Sequence, residues 1–500
     1  MPNKLVDSMD AIGSLKETEN GQLAYSTTGS PLLDLFGTVG ALRERDEADI
    51  QSMIAAAYDA DRLRTLKCIF YARDVRGGLG ERRTFRIALR WLAKLHPADV
   101  EANFPSIAVY GRWDDFYELA GTTLEGKAFA FMKDQFESDL ANAAAGKRIS
   151  LLGKWLKSCN ATSEETRRLG RLTAKRFGLT EAKYRKALSA LRKHLGVVEV
   201  SMSANQWDID YGTVPSKAMA AYKAAFQRHD PEGFSQYVEA LQKGEAKINA
   251  STLYPYDLVE KYLGQSFASF VNFRSKDGPD EIVEAQWKAL PEYVKEPANF
   301  IVMADVSGSM AGRPICSSLG LAIYFAQRNI GAFAKRFMTF SSEPSWVTVT
   351  GQSLHDDLAK ALRGDVGYDT NLEKAFQLVL DACIKGKVPK KDLPKAIVAI
   401  TDMEINEATN ADRGADPLDF TSDMAERFAE AGYAMPTLVW WNVNARNDTF
   451  HAKASDRRVR YVSGSSPSSF AQLISSMSDS PEEMMLAVLD GERYAPIRIG

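Results

Sequence analysis

The spacing of hydrophobic residues divides the chain into two parts with different secondary structure. From about Pro31 to Leu290, apolar residues recur three and four positions apart, which is the spacing of one face of a helix. Short turns join these segments, so the pattern predicts stacked pairs of helices, a HEAT-like helical-repeat architecture. The segments are Ile50 to Ala60, Arg62 to Ala72, Glu81 to Leu95, Ser163 to Phe177, Glu181 to His194, Pro215 to Arg228 and Pro231 to Lys243.

The pattern changes after residues 272–298, where Lys276-Asp-Gly-Pro and Glu296-Pro297 interrupt the helices. Apolar strands then alternate with helices, which predicts a doubly wound parallel sheet with one antiparallel edge strand at Trp346. The predicted strands are Phe300 to Asp305, Arg336 to Phe340, Trp346 to Thr350, Ala396 to Thr401, Thr437 to Asn442 and Val459 to Val462. The helices are predicted near Arg313 to Arg328, Leu354 to Leu362, Leu372 to Ile384, Ser422 to Ala431 and Ser468 to Met477.

These patterns predict a fold of the α plus α/β class with three parts. Residues 1–30 are polar and rich in Gly, Ser and Thr, and we expect them to be poorly ordered. Residues 31–290 form the helical-repeat domain, and residues 298–500 form the doubly wound domain.

Composition limits the location and the chemistry. No run of about 18 apolar residues exists, so we expect no membrane span, and we expect no secretory signal at the N-terminus because it has no apolar core and no cleavage site. The four cysteines lie far apart and are expected to be free, buried thiols in a reducing compartment. We therefore expect a cytoplasmic protein, and the scattered histidines give no support for a zinc site.

The charge of the chain is distributed unevenly. Net charge is −3, but Arg62 to Lys94 carry ten Lys and Arg against two acidic residues, and Lys147 to Val200 carry fourteen against four. These two helical segments together hold +18, so the remainder holds about −21. A basic field of this size is suited to neutralise phosphates. The alternative is that these charges form a solvated helix face or balance the acidic half of the chain.

Three sites at predicted strand and loop ends carry hard oxygen ligands. The strand from Phe300 ends in Asp305-x-Ser307-x-Ser309, Thr370 precedes a helix, and Asp402 follows the strand from Ala396. Such ligands favour Mg²⁺, Mn²⁺ or Ca²⁺ over zinc. Each has an alternative role, because Ser309 and Thr370 would also serve as helix caps and Asp402 would also end a strand without a metal.

The order Asp-x-Ser-x-Ser, Thr, Asp resembles the metal-ion-dependent adhesion site (MIDAS) of von Willebrand factor A domains. The resemblance implies that Ser307, Ser309 and Thr370 bind the ion directly, and that Asp305 and Asp402 bind it directly or through water. Thr401-Asp-Met-Glu404 stands where many such domains have Thr-Asp-Gly, which leaves a supporting role for Glu404 open. The remaining coordination position is open to a carboxylate or phosphate oxygen of a partner.

The helical part has a resemblance of its own. Arg73-Asp-Val-Arg76-Gly-Gly-Leu-Gly80-Glu-Arg-Arg83 and Tyr110-Gly-Arg112-Trp-Asp-Asp115 resemble the TROVE module of the Ro ribonucleoprotein autoantigen and its bacterial relatives. The chain is more similar still to an uncharacterised TROVE-like family of microbes, viruses and plants. That similarity rests on Gly153-Lys-Trp-Leu156, Lys183-Tyr-Arg-Lys186, Met202-Ser-Ala-Asn-Gln-Trp207 and Arg228-His-Asp230, and the whole resemblance spans about residues 30 to 460.

The resemblance implies RNA binding by the helical part, and the interleaving of cations with aromatic residues favours single strands and RNA ends. The candidate RNA-binding residues are Arg73, Arg76, Arg82, Arg83, Arg112, Lys154, Trp155, Lys183, Tyr184, Arg185, Lys186 and His229.

Two functional hypotheses follow. The first is a non-enzymatic RNA-binding scaffold whose metal-site domain, holding Mg²⁺ or a similar ion, recruits a partner carboxylate. The alternative is a metal-dependent protein-interaction or assembly module without RNA. An enzyme is not expected, because no nucleophile–base pairing is visible in the sequence.

Overall fold

The computed structural model describes residues 14–266, 273, 278–294, 299–340, 344–363, 372–405, 420–470, 473 and 479–500. Its helices before the sheet, in chain order, are α1 (Pro31–Thr38), α2 (Glu47–Ala60), α3 (Arg62–Arg73), α4 (Arg82–Leu95), α5 (Pro97–Ala102), α6 (Phe104–Tyr110), α7 (Glu125–Ala144), α8 (Leu152–Trp155), α9 (Glu164–Arg176), α10 (Glu181–His194), α11 (Val198–Ser203), α12 (Ser216–His229), α13 (Pro231–Lys243), α14 (Pro255–Leu263) and α15 (Glu281–Lys288).

The predicted helices form because hydrophobic spacing and caps agree. Ser163 and Thr180 accept hydrogen bonds from the first turns of α9 and α10, which satisfies backbone donors that a helix leaves open. After each of these two helices the chain reverses at a glycine in the left-handed region, Gly178 (φ 72°) and Gly196 (φ 61°), as the turn composition predicts. That the helices repeat in the HEAT manner stays a prediction.

The second half of the chain forms a six-stranded mixed sheet. The strands are β3 (Phe300–Asp305), β4 (Arg336–Phe340), β5 (Ser345–Thr348), β6 (Ala396–Thr401), β7 (Thr437–Asn442) and β8 (Val459–Ser463). Their order across the sheet is β5-β4-β3-β6-β7-β8, with β5 antiparallel to β4 and the other neighbours parallel. The predicted strands and the antiparallel edge strand near Trp346 are therefore confirmed.

Helices cover both faces of this sheet. They are α16 (Arg313–Arg328), α17 (Leu354–Ala361), α18 (Leu372–Lys385), α19 (Phe420–Glu430) and α20 (Pro481–Leu489). Alternate residues of β3 enter different cores, since Phe300 and Val302 pack in one and Ile301 and Met303 in the other. Burial on both faces explains why the strands are continuous apolar runs. The predicted helix Ser468 to Met477 lies largely outside the described residues.

The chain separates into two compact units. The sheet unit comprises Met1–Arg64, Gly77–Gly80 and Ala250–Gly491, and the helical unit comprises Thr65–Arg76, Glu81–Asn249 and Glu492–Gly500. These bounds differ from the predicted domain boundaries at residues 30 and 290. The reason is that contacts between residues distant in sequence determine which unit a segment belongs to. Within the helical unit, for example, Arg493 Nη2 donates to Asp74 at 2.8 Å.

The N-terminal residues of the sheet unit also carry structure. Residues 14–30, predicted to be poorly ordered, contain the antiparallel strands β1 (Leu15–Glu17) and β2 (Leu23–Tyr25). The following helix α1 packs against β8, where the Gly40 N–H donates to Ser463 Oγ at 3.1 Å. A Cβ at Gly40 would lie 2.8 Å from the Ser463 backbone, so this approach requires glycine.

All four cysteines are buried and free. Among the described residues, no helix combines the length and the hydropathy that a membrane span requires.

Candidate metal centre

The predicted metal ligands of the sheet unit lie where two adjacent strands end. Strands β3 and β6 are parallel neighbours, and Ala304 pairs with Ile400 one residue before Asp305 and Thr401. Their carboxyl ends therefore lie side by side, which is where open α/β sheets bind ligands. Asp305 and Asp402 are each 1% exposed, whereas Ser309 is exposed to solvent.

Hydrogen bonds connect four of the five predicted ligands. Asp305 accepts the Ser307 N–H at 2.9 Å and the Thr401 hydroxyl at 2.6 Å. The hydroxyls of Ser307 and Ser309 are 3.1 Å apart, and the Ser309 hydroxyl donates to Asp402, which lowers the pKa of that carboxyl. The fifth predicted ligand, Thr370, lies outside the described residues.

The negative charges of Asp305 and Asp402 repel each other. Burial, together with the charge of Asp402, raises the pKa of Asp305 to about 7. Burial also raises the pKa of Asp402, while Arg446 opposes that shift. A buried carboxyl close to a second one favours its neutral form unless a cation is nearby.

This donor set fits a hard divalent cation. Two carboxylates and two hydroxyls at one sheet edge provide the oxygen ligands that Mg²⁺ and related ions prefer. The arrangement differs from an all-acidic or histidine-rich centre, since among the described residues no group of three or more His, Cys, Asp or Glu side chains is placed to hold a metal. A cation between Asp305 and Asp402 would relieve the repulsion that raises the pKa of Asp305.

The backbone after Asp402 adopts an uncommon conformation. Met403 has φ of 71°, in the left-handed region that favours glycine. The predicted resemblance to adhesion sites places a glycine at this position, so Met403 departs from that pattern. Met403 is 1% exposed, and its packing in the core offsets a strain of about 1–3 kcal/mol.

Glu404 contributes in two ways. Its backbone N–H donates to Asp402, and its carboxylate anchors the N-terminal hairpin formed by β1 and β2. Its carboxylate accepts the Glu19 N–H at 2.8 Å, the Asn447 side-chain amide at 3.1 Å and the Thr449 hydroxyl at 3.1 Å. Thr18 adds a bond from its hydroxyl to the Ile405 carbonyl at 2.7 Å. The hairpin is therefore fixed to the loop that follows Asp402.

Arg446 is the residue at this site that the sequence analysis missed. Its Nη2 lies 2.8 Å from Asp402 Oδ2 and its Nη1 lies 3.0 Å from Glu19 Oε2. No local pattern marks this arginine, because Asn444-Ala-Arg446-Asn447 is an ordinary loop sequence. Only the position of that loop after β7, beside β6, brings it to Asp402.

Two of the predicted RNA-binding residues are core residues. Arg73 is 2% exposed, with its Nε 2.9 Å from Asp115 Oδ2. Tyr184 is 0% exposed, packs against Phe136 and Phe177, and donates its hydroxyl to the Lys157 carbonyl at 2.8 Å. Neither side chain is accessible to a nucleic acid, so the predicted role is wrong for both, and burial is the reason.

Trp155 and Arg112 are engaged with each other. The Arg112 guanidinium lies 3.9 Å from the centre of the Trp155 ring and pairs with Asp114 at 2.7 Å. Lys154 lies 5.6 Å from the same ring centre. The guanidinium therefore covers part of the ring that a base would stack on.

The remaining predicted RNA-binding residues lie on the surface of the helical unit. Arg76, Arg82, Arg83, Lys183, Arg185, Lys186 and His229 are exposed. The His229 ring stacks on Trp207 with centres 4.2 Å apart, so the two sequence motifs that contain these residues meet.

The fold and the cluster define a class of protein: a doubly wound α/β unit with paired carboxylates and hydroxyls at the carboxyl edge of its sheet, preceded in the chain by a helical region. Two overlapping segments, 18–176 and 127–300, match the family described as "Domain of unknown function (DUF2828)". The chain belongs to this family. Residues 299–493 match a second family, "Domain of unknown function (DUF7788)".

A viral protein is similar along nearly the whole chain. "Uncharacterized protein L728" of Acanthamoeba polyphaga mimivirus is 29% identical over 536 residues, covering 98% of this chain and 89% of the viral protein. A viral relative agrees with the predicted likeness to an uncharacterised family that includes viruses. The likeness to TROVE modules and Ro proteins stays a prediction.

Solved structures give only a weak likeness. Proximal thread matrix protein 1 of the mussel byssus is 15% identical, over 36% of this chain and 46% of its own, with a TM-score of 0.24. A structure of the same protein "with zinc occupied MIDAS motif" is 14% identical, over 38% and 48%, with the same TM-score. The chain thus spans less than half of those structures, and the likeness is too weak to bear on the site.

Proposed function

We propose that this protein is a divalent-metal-dependent interaction module that binds an acidic group of a protein partner. One observation carries the proposal: Asp305 and Asp402, both buried, converge with the hydroxyls of Ser307 and Ser309 at one edge of the sheet. A bound ion would supply a positive centre with a coordination position open to a carboxylate oxygen.

Each residue has a separate part in this proposal. Asp305 and Asp402 supply the negative charge, and Ser307 and Ser309 supply neutral oxygens. Thr401 holds Asp305 in position through its 2.6 Å hydrogen bond. Ser309 is the exposed member, so the partner would approach from its side.

The module is proposed to bind and not to catalyse. The oxygens of Asp305 accept hydrogen bonds from Ser307 and Thr401, and those of Asp402 from Glu404 and Arg446. In the proposal these two carboxylates hold the ion, so neither is assigned a proton-transfer role.

Ion binding by the purified chain tests the proposal. Titration of Mg²⁺ or Mn²⁺ into the metal-free protein is expected to raise its thermal midpoint. At an ion concentration of one hundred times the Kd, the free energy of unfolding should rise by about 2.7 kcal/mol. Asp305→Ala is expected to abolish the gain. Ser309→Ala, at an exposed position, is expected to weaken binding by about tenfold or more, since even supporting residues of metal sites have effects of this size.

Asp381→Ala is the matched control, because Asp381 is a partly exposed aspartate paired with Lys385 on α18. It is expected to leave ion binding intact. Unchanged ion affinity in folded Asp305→Ala and Ser309→Ala proteins would refute the site.

A second candidate function is RNA binding, and the surface of α10 favours it. Lys183, Arg185, Lys186 and Lys193 are exposed, and none forms an ion pair with another described residue. Unpaired cations on one helix are free to contact phosphates.

Binding of a labelled single-stranded RNA over a series of salt concentrations tests this function. Neutralising Lys183, Arg185 and Lys186 together should weaken binding and reduce the salt slope by about 0.7 per lost phosphate contact. Arg168→Gln is the control, since exposed Arg168 is already paired with Glu165 at 2.7 Å. No RNA binding at low salt, or an unchanged slope in the triple variant, would exclude the α10 surface.

A further inference from the structure

Arg446 occupies a position where a positive charge acts directly on the metal ligands. It lies in the loop between β7 and β8, and its side chain is 29% exposed. The guanidinium lies between two carboxylates, with Nη2 2.8 Å from Asp402 Oδ2 and Nη1 3.0 Å from Glu19 Oε2.

Both oxygens of Asp402 already accept hydrogen bonds. Its Oδ1 accepts the Glu404 N–H at 3.2 Å, and its Oδ2 accepts from Arg446. An ion that binds Asp402 directly either uses Oδ2, where it displaces the guanidinium or shares the oxygen with it, or uses Oδ1 of the same carboxylate. Either event is opposed by repulsion between the ion and a unit positive charge a few Å away.

The guanidinium of Arg446 uses its two terminal nitrogens for ion pairs and leaves the third nitrogen unbonded to the described residues. Its Nε is buried and makes no hydrogen bond with the residues that the structure describes. A buried donor without a partner costs free energy, and in the described part of the chain Arg73 and Arg427 each have one as well. What sets Arg446 apart is that its two partners are the carboxylates of Asp402 and Glu19.

We propose that Arg446 is a built-in competitor of the divalent ion for Asp402 and sets the ion affinity of the site. This inference rests on the proposed metal-dependent function and adds that Arg446 regulates ion binding at that site. Without an ion, Arg446 neutralises Asp402; when an ion binds, the guanidinium moves from Oδ2 toward Glu19.

Glu19 connects this competition to the N-terminal hairpin. Its carboxylate accepts from Arg446 and, at 3.0 Å, from Asn447, while its N–H donates to Glu404. The hairpin thereby provides the second carboxylate on which the displaced guanidinium rests. All of these residues belong to the sheet unit.

Calorimetric titration of Mn²⁺ into the metal-free full chain tests the inference. Arg446→Gln is expected to bind Mn²⁺ more tightly than wild type by about tenfold or more, because a repulsive charge beside the ion is removed. Arg446→Lys keeps the charge and is expected to stay near wild type. Arg457→Gln, which removes an exposed arginine paired with Glu483 in the same unit, is the control of equal charge and should change nothing.

A thermal melt gives an independent readout. Metal-free Arg446→Gln should unfold at a lower temperature than wild type, because buried Asp402 loses its partner. Added Mn²⁺ should then raise its midpoint by more than it raises that of wild type.

The outcomes separate this inference from the proposed function. If wild type binds Mn²⁺ and Arg446→Gln binds it with equal or lower affinity, the inference is overturned and the metal site is retained. Absence of Mn²⁺ binding in both proteins would overturn both. Binding by Arg446→Gln alone would support the competition in its strongest form.

Discussion

The sheet unit and the helical unit use charged side chains in opposite ways. At the edge of the sheet, Asp305 and Asp402 are 1% exposed, and every oxygen has a hydrogen-bond donor. On α10, Lys183 and Lys186 are exposed and form no ion pair with other described residues. Buried charges act individually over short distances, whereas exposed charges act together as a screened field.

Burial, and not residue type, determines which behaviour a charge shows. Arg73 belongs to a basic segment of the helical unit, yet it is 2% exposed and paired with Asp115. Breaking such a pair leaves an uncompensated charge in the core. Composition therefore describes the exposed charges of the helical unit but not its buried ones.

The largest expected effect separates two adjacent residues of α10. Tyr184→Ala should destabilise the protein by about 3–5 kcal/mol, the range for removing a buried aromatic ring. Lys183→Ala, at the exposed neighbouring position, should stay within about 0.5 kcal/mol. Chemical denaturation measures both. Similar costs for the two variants would contradict the division of α10 into a core face and a charged face.

The next effect concerns a buried carboxylate of the sheet unit. Glu404→Gln should cost about 1.5–3 kcal/mol, the range for hydrogen bonds to a charged group, because Glu19, Asn447 and Thr449 all donate to it. Glu426→Gln, at an exposed position on α19, should have little effect. If the unfolding free energies of these two variants match, Glu404 does not hold the hairpin.

A pH-dependent effect is expected from His451, also in the sheet unit. Burial lowers the pKa of His451 to about 4, against about 6.5 in an unfolded chain. Between these values the unfolded state binds more protons, so stability falls as pH falls from 6.5 toward 4, by at most about 1.4 kcal/mol per pH unit.

Urea denaturation at pH 7, 5.5 and 4.5 checks the His451 prediction. His451→Gln should lose less stability on acidification than wild type. His194→Gln, which alters an exposed histidine of the helical unit, should keep the wild-type profile. Parallel profiles for wild type and His451→Gln would disprove the assignment.

The smallest effect on stability is expected from the α10 cations. Simultaneous Lys183→Gln, Arg185→Gln and Lys186→Gln should change the free energy of unfolding by no more than about 0.5 kcal/mol for each substitution. A thermal melt of the triple variant checks this. A large loss of stability would show that these cations support the fold and are not a free surface.

The sequence by itself determined the strands and the helices around them. Runs such as Phe300–Asp305 and Ala396–Thr401 have the bounds that the apolar pattern predicts, because a strand buried on both faces must be apolar throughout. The pattern also predicted that Asp305 and Asp402 lie at the carboxyl ends of strands on one edge of the sheet, whereas the adjacency of those two strands comes from the structure.

Other features were decided only by the tertiary structure. Arg446 reaches Asp402, and the hairpin at residues 15–25 reaches Glu404, through contacts between residues about 44 and 385 positions apart. Tyr184 lies in the core although its neighbours Lys183 and Arg185 are basic and exposed, and Arg73 lies in the core although its segment is rich in cations. The local pattern of apolar residues predicts which side of one helix or strand is buried. A contact between loops depends on where the whole sheet places those loops, and no short stretch of sequence contains that information.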